Sequence, residues 1–282
     1  MINFSKILRT AAILMLINGC TDKKVIPVVT PTAPVADLGW TFEPTPFWQD
    51  DFNTNGIPDP AKWSYDVGGS GWGNNELQYY TSGENAGVVN GNLVIQAKKE
   101  NYQGRQYTST RLISKGKGDF QYGRFEIRAK LPKGRGTWPA LWMLSSDNSY
   151  GIWPASGEID IMEHVGFDLN KVHCSVHCSA YNHSRGNQKS STKTITDATT
   201  DFHLYRVDWT PYSIKGFVDD EQYFEFINEN NGFSSWPFNK KFYMIMNVAI
   251  GGNWGGAQGV DDSVFPTAME VDYVKVYKMI EQ

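Results

Sequence analysis

In the stretch Trp153-Pro154-Ala155-Ser156-Gly157-Glu158-Ile159-Asp160-Ile161-Met162-Glu163-His164, three carboxylates stand among two isoleucines and a methionine. The pattern is that of a half-buried β-strand, in which successive side chains alternate between faces. Glu158 and Asp160 then point one way and Ile159 and Ile161 the other. Strict alternation would set Met162 among the acids and send Glu163 to the apolar side. One extra residue near Met162, a β-bulge, returns Glu163 to the acidic face, and bulges recur beside active sites. An edge strand bearing solvated acids would carry similar charges, but it gives no reason for the flanking Trp153 and His164.

The same period runs through the rest of the chain. In Gly123-Arg124-Phe125-Glu126-Ile127-Arg128-Ala129, Phe125, Ile127 and Ala129 share one face. Leu93-Val94-Ile95-Gln96-Ala97 follows the turn Asn90-Gly91-Asn92, and further strands are predicted at 139–144, 157–163, 172–179, 203–209, 213–218, 242–249 and 270–277. No long stretch has helical period and no internal repeat is present. Many short strands punctuated by Gly, Asn, Asp and Pro predict an all-β sandwich of two packed antiparallel sheets. The chain's 282 residues, 40% hydrophobic, suffice for one large domain with a substantial core. A net charge of −4 gives no reason to expect a nucleic-acid or anionic-membrane partner. Ten tryptophans and fourteen tyrosines in so polar a chain point to a ligand that stacks on aromatic faces.

The N-terminus stands apart. Lys6 and Arg9 precede an apolar run, Ala11 to Ile17, that is too brief to span a bilayer. Residues 1–19 are therefore expected to be a signal peptide. Leu16-Ile17-Asn18-Gly19-Cys20 resembles a bacterial lipobox, which implies cleavage before Cys20 and acylation of its sulfur. The expected product is an exported lipoprotein of the cell envelope, with a plain secreted protein as the alternative. Residues 20–45, rich in Pro, Val and Thr, read as an extended tether, leaving 46–282 as the folded domain that carries the acids. Two other cysteines, Cys174 and Cys178, share a strand face with Val172 and Val176, and His173, Ser175 and His177 take the opposite one. Four residues along a strand span about 13 Å, too far for a disulfide. They are expected as buried free thiols.

Chemistry follows from the spacing of the acids. With the bulge, Glu158 and Glu163 lie as residues four apart, and leaning inward they can bring their carboxyls to about 5–5.5 Å, the separation used in double displacement at a glycosidic carbon. Asp160 between them adds like charge, which raises at least one pKa and keeps a carboxyl protonated near neutral pH.

From about Phe47 to Lys278 the chain resembles family 16 glycoside hydrolases of the laminarinase type. The matching motifs are Gly157-Glu158-Ile159-Asp160-Ile161-Met162-Glu163-His164, Trp72-Gly73-Asn74-Asn75-Glu76-Leu77-Gln78-Tyr79-Tyr80, Thr137-Trp138-Pro139-Ala140-Leu141-Trp142-Met143-Leu144, Gly251-Gly252-Asn253-Trp254-Gly255-Gly256 and Val271-Asp272-Tyr273-Val274-Lys275-Val276-Tyr277. The resemblance implies a jelly-roll sandwich of two curved sheets with a concave substrate cleft, acting as a monomer on a β-glucan. It implies Glu158 as nucleophile, Glu163 as acid and then base, Asp160 assisting, and His177 facing the cleft beside them. It gives Trp138, Trp142, Trp153 and Trp254 as sugar-stacking residues and Asn74 and Arg111 as polar contacts. Trp40, Trp48, Trp63, Trp209 and Trp236 are left to the core. It also implies a structural calcium ion, unneeded for catalysis, at Asp51, Gly91 and Asp272.

Three readings follow: endo-hydrolysis of β-1,3 linkages, the same chemistry on a mixed-linkage glucan or an algal galactan, and a glycan-capturing protein without catalysis. The retained glutamates disfavour the last. Sulfated galactans would favour a more basic cleft.

Overall fold

The computed structural model describes residues 36–280. The expected signal stretch, Cys20 and most of the expected tether lie outside the described residues. Among the described residues the strands form an eight-stranded and a ten-stranded sheet and a separate two-stranded pair, antiparallel except where Gln78–Tyr80 runs parallel to Arg105–Ser109. The strands expected from alternation are present, among them Gly123–Lys130, Thr137–Ser145, Glu158–His164 and Phe242–Ile250. One boundary moves. Thr41–Phe42, within the expected tether, pairs with Met279–Ile280, so the folded part reaches upstream of residue 46.

The two sheets pack through their apolar faces. Leu141, Met143, Ile159, Val176, Met244 and Met246 come from the eight-stranded sheet, and Phe125, Ile127, Val207 and Val274 from the other, all at most 1% exposed. Burying such side chains contributes roughly 1.5–3 kcal/mol each. Cys174 and Cys178 are free and buried in this layer. Of the five tryptophans left to the core, Trp63, Trp209 and Trp236 are buried, and Trp48 packs against the core half-buried.

Phe242–Ile250 lies at the centre of the eight-stranded sheet and is buried along its whole length. Thr137–Ser145 pairs with it on one side and with the acid-bearing strand Glu158–His164 on the other. Lys171–His177 and the edge strand Lys189–Thr194 follow. The outer face of these strands carries the site.

Candidate active site

The bulge occurs where the acids require it. Trp142 pairs with Asp160 and Leu141 with Met162, while on the other side Ser175 pairs with Asp160 and His173 with Glu163. The acid-bearing strand therefore holds one residue more than its neighbours between Asp160 and Glu163. Ile161 and Met162 both bury completely, and Glu158, Asp160 and Glu163 all open into one cavity of about 470 Å³. Gly157 immediately precedes the strand at φ 85°, where a side chain would strike Pro237 and Phe238. His164 does not join the site. It is buried away from solvent, its Nε2 lies 3.0 Å from the Leu169 carbonyl oxygen, and burial lowers its pKa to about 4.

Each glutamate is held by an indole. Trp153 Nε1 donates to Glu158 Oε2 at 2.9 Å and Trp138 Nε1 donates to Glu163 Oε1 at 3.1 Å. Asp160, only 1% exposed, lies beside Glu158, with carboxyl oxygens of the two within 4.8 Å of each other. His177 Nε2 lies 3.3 Å from Asp160 Oδ2 and 3.7 Å from Glu158 Oε1. Burial raises the pKa of all three acids. Repulsion from Asp160 adds to the rise at Glu158, and repulsion from Glu163 adds to it at Asp160. The two indole N–H groups and His177 act in the opposite sense on the glutamates, favouring their ionised forms. Three carboxyls this close cannot all ionise cheaply, so the cluster retains a proton into the neutral range.

The polar wall of the cleft is equally fixed. The Arg111 guanidinium lies between the rings of Trp72 and Trp142, 4.9 and 4.7 Å from their centroids, and its Nε is 3.1 Å from Asp66 Oδ2. Trp142 Nε1 donates to Asn247 Oδ1, Asn247 Nδ2 to the Tyr80 hydroxyl, and that hydroxyl to Glu76 Oε2, at 2.7, 3.0 and 3.2 Å. Glu76 is buried, which raises its pKa against the pull of Gln78 and Tyr80. The loops carrying Asn74 and Trp254 are tied together by Asn75 Nδ2 donating to Asn253 Oδ1 and by the Asn253 amide donating to the Asn74 carbonyl. Gly252, at φ 77°, sits against Asn74 and Trp138, where any side chain would intrude.

Asn74, Arg111, Trp138, Trp142, Trp254 and His177 thus all line the cavity with the three acids. The tryptophans differ in use. Trp138 meets Trp254 edge to face at 5.6 Å, whereas Trp142 gives one face to Arg111. Trp153, expected to stack sugar, does not line the cavity. Its N–H holds Glu158, and its ring lies 4.9 Å from that of His183. Trp72, Glu76, His173, His183 and Asn247 also line the cavity, and their types and spacing alone did not single them out. Trp72 and Glu76 stood in the same motif as Asn74, and that adjacency was the available signal.

The expected calcium residues lie elsewhere. Strand register sets Asp272 between the partners of Leu93 and Asp50, in the neighbourhood of Gly91 and Asp51. The Asp272 carboxylate, however, accepts from Arg128 at 2.6 Å, and that of Asp51 is 3.6 Å from Lys275 Nζ. Both acids already face cations, and an ion there would have to displace them.

A cleft of this kind has a ready use, to lay a sugar chain across the sheet and cut it at the carboxyls; fold and cleft together define a glycoside hydrolase. The sequence model of the glycosyl hydrolases family 16 matches residues 73–275, and the chain belongs to that family. It is 54% identical over 243 residues to a beta-glucanase of Rhodothermus marinus, covering 83% of this chain and 85% of that protein. It is 39% identical over 284 residues to the glucan endo-1,3-beta-glucosidase A1 of Niallia circulans, covering 92% of this chain but 40% of that longer relative. The solved structure of the laminarinase from Rhodothermus marinus matches with a TM-score of 0.84 at 53% identity, over 86% of this chain and 99% of that one. The jelly-roll expectation is borne out by that match.

Proposed function

We propose that this hydrolase cuts β-1,3-glucosidic linkages within laminarin-like glucans, with retention of anomeric configuration. One observation carries the mechanism: Glu158 and Glu163 share one face of a bulged strand, each fixed by its own indole N–H on the floor of the cleft. Glu158 attacks the anomeric carbon as Glu163 protonates the departing oxygen, giving a covalent glycosyl-enzyme. Glu163, now ionised, takes a proton from water, which displaces Glu158 and restores the sugar's original configuration. Burial and the neighbouring Asp160 raise the Glu158 pKa well above the usual carboxylate range; His177 and the Trp153 N–H oppose that rise and favour the ionised form, which is the nucleophile. Burial raises the Glu163 pKa as well, which favours the protonated form that it needs as the acid.

A reducing-end assay with product sizing tests the substrate. Residues 36–282 are offered laminarin, mixed-linkage β-glucan, agarose and carrageenan. Rapid release of short oligosaccharides from laminarin is expected. Activity confined to a galactan would overturn the specificity while leaving the mechanism, and binding without turnover on all four would overturn both.

We also propose export with lipid attachment at Cys20, for which the lipobox resemblance is the support. Incorporation of labelled palmitate that is lost in Cys20→Ala is the expected result. Calcium at Asp51, Gly91 and Asp272 rests on the resemblance alone. It predicts a Tm that rises with millimolar calcium and falls with a chelator, and an unchanged Tm would remove the ion.

A further inference from the structure

His177 stands beside the reacting carboxyls, yet a neutral imidazole can play two opposite parts there, donor or acceptor, depending on which nitrogen holds its hydrogen. The main chain settles which. The amide of His183 donates to His177 Nδ1 at 3.3 Å. A backbone N–H has no alternative to donating, so Nδ1 must offer its lone pair and the ring hydrogen must sit on Nε2. That is the nitrogen 3.3 Å from Asp160 Oδ2 and 3.7 Å from Glu158 Oε1. Asp160 Oδ2 is fully buried and has no well-aligned donor among the described residues. Catalytic hydrogen bonds are often long until substrate is seated.

The loop that supplies the amide is built to hold it still. Cys178 and Tyr181 exchange backbone hydrogen bonds directly after the strand Lys171–His177. Asn182, only 3% exposed, donates from Nδ2 to the Cys178 carbonyl and accepts at Oδ1 from the Arg185 amide, capping the short 3-10 helix His183–Arg185. The Asn182 amide in turn donates to Asn187 Oδ1. The His183 amide is thereby left to point at the imidazole.

We propose that the main-chain N–H of His183 is a positioning group of the reaction, locking His177 as the Nε2–H tautomer so that it donates to the Asp160–Glu158 pair and cannot act as a base. This rests on the roles given above to Glu158 and Glu163. The locked imidazole steadies negative charge on the pair before attack and keeps its own proton throughout. It leaves Glu163 as the base for water.

His183→Pro is a direct test, because it deletes one N–H where proline is well tolerated. The residue occupies the first helical position, and Asn182 before it is extended at φ −160°, ψ 163°, as a residue preceding proline should be. His183→Ala removes the ring and keeps the amide. Side-chain 15N NMR distinguishes protonated from lone-pair imidazole nitrogens. The wild type and His183→Ala should show His177 with hydrogen on Nε2, whereas His183→Pro should show a mixture of tautomers. On laminarin, His183→Pro should have a kcat about tenfold below that of His183→Ala, with KM little changed, as the loss of one hydrogen bond implies. A wild-type spectrum with hydrogen on Nδ1 would overturn the proposal, even if His183→Pro fails to fold. So would His183→Pro matching His183→Ala in both tautomer and kcat. If Glu158→Gln retained turnover, the assigned roles would fall while the tautomer spectrum would still stand, so the two failures are distinguishable.

Discussion

Replacing Asp160 by Asn should stabilise the protein at alkaline pH while impairing it as an enzyme. Oxygen atoms of Glu158 and Asp160 lie within 4.8 Å of each other. Two unit charges no farther apart than that repel by at least about 3 kcal/mol at an effective dielectric of about 20. The folded protein avoids part of this by keeping a proton, since burial and like charge raise the Asp160 pKa above its unfolded value. Between those two pKa values the native state binds more protons than the unfolded chain, so stability falls as pH rises. The penalty is absent below the ordinary aspartate range and largest above the raised folded value. Asparagine keeps the shape and removes the charge. A gain of about 1–2 kcal/mol corresponds to a Tm increase of roughly 2–8 °C in a domain of this size. Calorimetry on wild type and Asp160→Asn should show that increase at pH 8 and little difference at pH 4, together with at least a tenfold loss of kcat on laminarin. A Tm lowered equally at both pH values would refute the reasoning, because Asp160 would then be a structural hydrogen-bond partner and not a source of stored repulsion.

Other outcomes follow from the same geometry. Glu163→Ala should lose most activity on laminarin but recover much of it on an aryl glycoside whose leaving group needs no proton; no recovery would count against its acid role. Trp138→Phe keeps a ring in the cleft but deletes the N–H that favours ionised Glu163. Its pKa should rise further, moving the alkaline limb of kcat/KM up by about one unit; a downward shift would contradict that assignment. Arg111→Ala removes the cation between Trp72 and Trp142. KM should rise about five- to thirtyfold with kcat little changed, on the scale of 1–2 kcal/mol from two such contacts; a fall confined to kcat would argue that Arg111 serves the chemistry.

The catalytic strand was legible because its pattern breaks. Three acids alternate with two isoleucines until Met162 falls out of phase, and only an extra residue reconciles apolar burial with a shared acidic face. The edge strand Lys189–Thr194 had no such signal. Its sequence Lys-Ser-Ser-Thr-Lys-Thr contains no apolar residue, and it forms by pairing with Lys171–His177. Trp153 was read for its ring, yet its N–H is what reaches Glu158, a distinction that depends on side-chain direction. Asn247 and Glu76 are far apart in sequence and become one hydrogen-bonded chain only through Tyr80. Long-range polar contacts of this kind leave no periodicity to read. Asp51 and Asp272 show the converse, since a motif match does not say which cation a carboxylate will face.

In the proposed mechanism Glu158 forms a covalent bond to the sugar. A 2-deoxy-2-fluoro β-glucosyl donor with a good leaving group slows the second displacement and allows the intermediate to accumulate, after which the protein is digested and the peptides are weighed. The fluorosugar mass is expected on the peptide containing Glu158 and is expected to be absent in Glu158→Gln. A label on Glu163 or Asp160, or laminarin cleavage that yields the inverted anomer first, would contradict that mechanism.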